Sequence, residues 1–159
     1  MTLNVLVLLL AAAAGLAGLR EPGPGAQRAG ETQALRPGDR AELTVRWLIE
    51  DGYYLDEKTT SSLVFTPPAG ISLTPAKLET SGRVIGVSEQ TASVSVSSDV
   101  PPGVHRVKVE AVIYFCSLRE QWCKRVTRTV QLPIEVSAEA GSGQKALELE
   151  LRVPLDDER

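Results

Sequence analysis

Cys116 and Cys123 are the only thiol-bearing side chains in this 159-residue chain. They bracket the run Ser117-Leu118-Arg119-Glu120-Gln121-Trp122 and lie between two long strand-like segments. A pair at this spacing can form a local structural disulfide. It can also carry thiol–disulfide exchange, in which a thiolate attacks a disulfide sulfur and a second thiol resolves the mixed disulfide. Neither chemistry needs a metal or an organic cofactor. Arg119, Lys124 and Arg125 are placed to stabilise a thiolate, and Glu120 opposes them. Trp122, beside Cys123, offers an apolar surface for shielding or docking; a loop aromatic resting on the fold fits it equally well.

Other chemistry finds little support. His105 is the single histidine and falls at the far end of its strand from the cysteines, so packing or solvent exposure suits it better than a Cys–His nucleophilic pair. Two thiols without a nearby histidine make an incomplete zinc site. Asp51, Asp56 and Glu57 could act near the thiols, though a solvated loop suits them better, and Asp156-Asp157-Glu158-Arg159 reads as a solvated tail. The net charge is −3 and the basic residues are scattered, which argues against a nucleic-acid partner.

The elements that must position the pair follow from the hydropathy pattern. Leu3 to Leu19 is an apolar run broken only by Asn4 and ended by Arg20-Glu21-Pro22-Gly23-Pro24-Gly25, the shape of an export signal over 1–25. The weak positive charge ahead of it also fits an uncleaved N-terminal anchor. Export, to a periplasmic or extracellular space, implies a compartment where disulfides persist. Roughly 135 residues remain after such a leader, enough for one domain with a real core. Two cysteines are too few to build a disulfide scaffold, so that core must be apolar.

Residues 26–37 read as a flexible lead-in, 138–145 as a linker. Between them the pattern is strand-like: Leu43, Val45, Trp47 and Ile49 alternate with polar residues, Ser62–Thr66 and Thr91–Ser98 read as strands, and Ile71–Leu78 reads as an edge or irregular strand because of Pro75. The longest segments put Val107, Val109, Ala111, Ile113 and Phe115 on one face, and Val126, Val130, Leu132, Ile134 and Val136 on another. A last strand spans 146–155. About seven strands and no helix outside the leader predict an all-β, immunoglobulin-like antiparallel sandwich.

Pairing the two long segments as a hairpin with Cys116 opposite Cys123 sets Ile113 against Val126, Val109 against Val130 and Val107 against Leu132. Directly opposed side chains share a face, so this register is self-consistent. It places both cysteines off the apolar stripe, side by side at an exposed hairpin mouth. Closing so short a ring stabilises by roughly 2–3 kcal/mol in the chain-entropy model, a small return for a staple.

Glu50-Asp51-Gly52-Tyr53-Tyr54-Leu55-Asp56-Glu57-Lys58, the turn Pro101-Pro102-Gly103, the strand end Tyr114-Phe115-Cys116 and the aromatic before Cys123 follow one order. That order resembles the N-terminal periplasmic domain of the disulfide reductase DsbD over residues 38–137. The cysteine spacing is closer to a related C-terminal β-domain of thioredoxin/NHL-repeat proteins, and Asp56 stands where some members carry an aromatic. The resemblance implies an immunoglobulin-like sandwich with Cys116 and Cys123 as the redox-active disulfide, Cys123 forming the mixed disulfide and Cys116 resolving it. Tyr53 or Tyr54, with Trp122, would be the aromatic surround. It further implies exported thioredoxin-fold or other disulfide-bearing partners. No membrane electron-transfer domain and no thioredoxin domain lie within these residues, so a separate membrane protein is the expected electron donor. The rival expectation is a non-catalytic exported binding or stabilising domain held by a structural disulfide.

Overall fold

Alternation of apolar with polar residues runs through the longer strands of the structure. The computed structural model describes residues 34–140 and 145–154; the leader, most of the lead-in and the acidic tail fall outside the described residues. Nine strands form: β1 (Arg40–Ile49), β2 (Tyr53–Leu55), β3 (Ser61–Thr66), β4 (Ile71–Thr74), β5 (Lys77–Thr80), β6 (Val87–Val96), β7 (Gly103–Ser117), β8 (Cys123–Val136) and β9 (Lys145–Val153). The described residues contain no helix.

The strands make two sheets. One has the order β4-β6-β1-β9; in the other, β7 pairs with β8 on one edge and with β2 and β3 in succession on its other edge, with β5 beyond β3. Inward side chains of both sheets meet in a single core that includes Leu43, Val45, Trp47, Leu63, Val107, Val109, Ile113, Phe115, Ile134 and Leu151. This is a β-sandwich, a four-stranded sheet facing a five-stranded one that contains the long β7–β8 hairpin.

Several expectations are corrected. Nine strands replace about seven. Ile71–Leu78 is not one strand: it breaks at Pro75, and β4 and β5 join opposite sheets. Proline there removes a ladder donor and fixes φ, so the chain crosses over instead of continuing. The sandwich is also not wholly antiparallel, because β9 runs parallel to β1 from Ala41–Lys145 to Ile49–Val153. The lead-in is structured at its end: Leu35 is fully buried and bridges Val136, donating to Glu135 O at 2.8 Å and accepting from Ser137 N at 2.8 Å. Burying a leucine outweighs the turn-forming composition around it.

The predicted hairpin is present in its predicted register. β7 and β8 pair without a bulge from Gly103–Val136 to Cys116–Cys123. Ser117 N donates to Trp122 O at 2.9 Å, which makes Cys116–Cys123 a non-hydrogen-bonded pair, the ladder position where facing side chains lie closest. Ten residues along, the same alternation turns the nitrogen of Pro133 toward the outer edge of β8, where no strand among the described residues needs an N–H.

Gly70 holds the turn ahead of β4. Its φ is +81°, its carbonyl accepts from Ser97 N at 2.7 Å, and a Cβ added there would run into Val100 Cγ2. Gly82 has a similar φ of +83° but open space around it. Gly82→Ala should therefore cost only about 1 kcal/mol, and Gly70→Ala about 1–3 kcal/mol more. Urea denaturation measures both, and a Val100→Ala background should remove the difference.

Candidate functional site

The sulfurs sit where β7 has neighbours on both sides. Toward β8, Cys116 faces Cys123; toward β2, it pairs with Tyr54. Cys116 is thus interior to its sheet and 1% exposed, whereas Cys123 begins the edge strand β8 and is exposed. The two form a disulfide with Cα atoms 4.0 Å apart. Only half of the expectation that both cysteines lie exposed at the hairpin mouth survives. Face parity placed them correctly off the main stripe, but β2 covers Cys116 from the side.

The second face of the same hairpin end is aromatic. Tyr53, Phe115 and Trp122 pack as a trio, with ring centroids 6.1 Å apart for Tyr53–Phe115, 6.1 Å for Tyr53–Trp122 and 5.7 Å for Phe115–Trp122. Of the two anticipated uses of Trp122, resting on the fold is the one this packing displays: its ring is half-buried against the core, and its indole N–H donates to Glu120 Oε2. Tyr53 belongs to this inward group. Tyr54 is on the cysteine face, with the Arg83 guanidinium 4.4 Å from its ring centroid.

The connecting loop is held from within. Gln121 adopts φ 55° and donates its N–H to Ser117 O at 3.2 Å; Glu120 N donates to Ser117 Oγ at 3.2 Å, and Leu118 N to Gly52 O at 2.8 Å. The basic residues expected to attend a thiolate largely face rings instead. Lys124 Nζ lies 4.9 Å from the centroid of Trp122, and Arg125 Nε donates to Tyr114 Oη at 3.1 Å. His105 is remote from the pair, its Nε2 2.8 Å from Pro101 O near the opposite end of β7.

Asp56, for which a solvated loop was the preferred expectation and a place near the thiols the alternative, takes the alternative. Its carboxylate and the two sulfurs all lie within 4.8 Å of one another. The cause is local: Asp56 N donates to Tyr114 O at 2.9 Å, and Ser61 Oγ accepts from Tyr114 N at 3.0 Å. One residue of β7 thereby grips both ends of the loop between β2 and β3. The carboxylate is oriented by Thr59 Oγ1, which donates at 2.7 Å, and by Lys58 N at 3.3 Å. The usable signal was the two-residue period, since Asp56 shares a face with Tyr54 if the strand runs one residue further. Asp51 and Glu57 are exposed, as a solvated loop requires.

The chain matches no model of a known protein family and no curated protein. Its chemistry is read from the site.

An asymmetric pair makes a direct prediction. After reduction of the native protein, iodoacetamide should modify Cys123 well before Cys116, because Cys116 is shielded by strands on both sides. Tryptic cleavage after Arg119 separates the two cysteines into different peptides, so mass spectrometry reads each rate independently. Equal rates would mean that β2 does not cover Cys116 in solution.

Proposed function

We propose that this protein is an exported thiol–disulfide exchange module acting through Cys116 and Cys123 on protein partners. The observation that carries the reading is the unequal exposure of a joined pair: one sulfur open to solvent, the other buried behind it. Exchange needs an accessible sulfur for the partner and a protected one close enough to resolve the intermediate. The resemblance of the Gly52-Tyr53-Tyr54-Leu55 segment and of the cysteine strand to the DsbD N-terminal domain supports the same assignment, as does the sandwich fold.

In the reduced protein the Cys123 thiolate attacks a partner disulfide, forming an S–S bond to one partner sulfur and expelling the other as a thiolate. Cys116, having lost its proton, then attacks Cys123 Sγ. The Cys116–Cys123 bond forms, and the partner leaves as a dithiol after protonation. Two electrons pass to the partner, and the pair must be recharged by a separate dithiol donor; in the opposite direction the same steps oxidise a partner. Exported thioredoxin-fold proteins fit as partners because they present an exposed cysteine pair of their own, and a membrane protein fits as the donor. No cofactor enters these steps.

A second reading, a non-catalytic binding or stabilising domain with a structural disulfide, is favoured by the near-complete burial of Cys116 and by the aromatic packing behind the loop.

The readings separate in one experiment with an oxidised thioredoxin-fold protein. Under exchange, Cys116→Ser accumulates a mixed disulfide on non-reducing gels while Cys123→Ser forms none and loses transfer. Transfer unchanged in both variants rules exchange out. A redox titration adds an independent measure: a potential below about −300 mV marks the structural disulfide, and a clearly higher, reversible value marks the relay.

A further inference from the structure

We infer that reduction converts this site into a three-ligand centre for a thiophilic divalent cation of the zinc class, held by Cys116 Sγ, Cys123 Sγ and the Asp56 carboxylate. Among the described residues this is the one place where three potential metal-ligating side chains converge, with donor atoms mutually within 4.8 Å. The inference goes beyond exchange. It requires that the disulfide can be reduced, not that the protein transfers electrons.

The geometry is close to what such an ion demands. Zinc binds thiolate sulfur at about 2.3 Å and carboxylate oxygen at about 2.0–2.2 Å. Tetrahedral donors at those lengths stand roughly 3.5–3.8 Å from one another. The Asp56 oxygen therefore has to shift little. The sulfurs, joined in the oxidised chain, must separate. Rotation about their Cα–Cβ bonds can do this without moving the backbone, because the β7–β8 ladder holds the two residues opposite each other on one face.

The surroundings supply the rest. Lys58 N and Thr59 Oγ1 orient the Asp56 carboxylate, as outer partners of a ligating carboxylate do, and leave it lone pairs for a metal. Cys116 is buried and Cys123 exposed, so the fourth position opens toward solvent on the Cys123 side. Two thiolates and a carboxylate concentrate negative charge in a half-covered site, and a dication offsets it. Soft sulfur donors favour zinc-class ions over calcium or magnesium.

The site is gated by oxidation state. In the disulfide each sulfur is committed to its neighbour and offers no thiolate. An external dithiol supplies two electrons and two protons and leaves as a disulfide, giving Cys116 and Cys123 as thiols. Each thiol then releases its proton to solvent as its sulfur–metal bond forms. Bound metal would in turn mask Cys123 from a partner disulfide.

Cobalt(II) reports the centre directly. The full chain, reduced with a phosphine and kept anaerobic, should develop a sulfur-to-cobalt charge-transfer band that saturates at one ion per chain and is displaced by zinc. The oxidised chain should show none. Asp56→Asn should weaken cobalt binding by at least about tenfold. Asp56→His, which supplies a ring nitrogen in place of the carboxylate oxygen, should recover it, and Glu57→Gln should bind as the parent does. Circular dichroism of each reduced variant checks that the sandwich persists. The inference is overturned if the reduced chain unfolds, if no charge-transfer band forms, if saturation falls at one ion per two chains, or if Asp56→Asn binds as tightly as the parent.

Discussion

The ladder between β7 and β8 is the constraint on which the rest of the molecule depends. It runs unbroken from Gly103–Val136 to Cys116–Cys123 and carries the inward column of one sheet. Pairs such as Val107–Leu132 and Ile113–Val126 each contribute only about 0.2–1 kcal/mol beyond alanine. Their joint effect is on register. A slip by one residue would turn the whole apolar column to solvent. Because that slip is so costly, the cysteines at the end of the ladder are held opposite each other whether or not they are bonded. The disulfide closes a geometry that the core already imposes.

What the ladder does not set is the difference between the two sulfurs. That comes from β2, three residues long, which pairs with the end of β7 and places Tyr54 beside Cys116. Among the described residues no strand lies on the outer side of Cys123. One short segment thus makes an unequal pair out of two residues that are equivalent in the hairpin. The same segment carries Asp56 to the sulfurs, since the chain leaving β2 is caught by the backbone of Tyr114.

Behind the sulfurs, the trio of Tyr53, Phe115 and Trp122 anchors the loop from the opposite face. Packing is directed inward and chemistry outward at the same few residues, which the two-residue period of a strand makes possible. The loop between the cysteines can then be short and ordered, its backbone groups satisfied by Ser117 and Gly52.

The amino-acid sequence by itself determined the all-β class, the strands with clean alternation, the hairpin and its register, and the face on which both cysteines lie. These are local properties: period, β-branching and direct opposition are all written in neighbouring residues. Tertiary structure alone decided the division of Ile71–Leu78 between two sheets, the parallel docking of β9 on β1, the burial of Leu35, the shielding of Cys116 and the arrival of Asp56. Each of these depends on which surfaces meet across tens of residues of chain. Such meetings are selected by the burial of the whole core, and no single segment carries a pattern that specifies them.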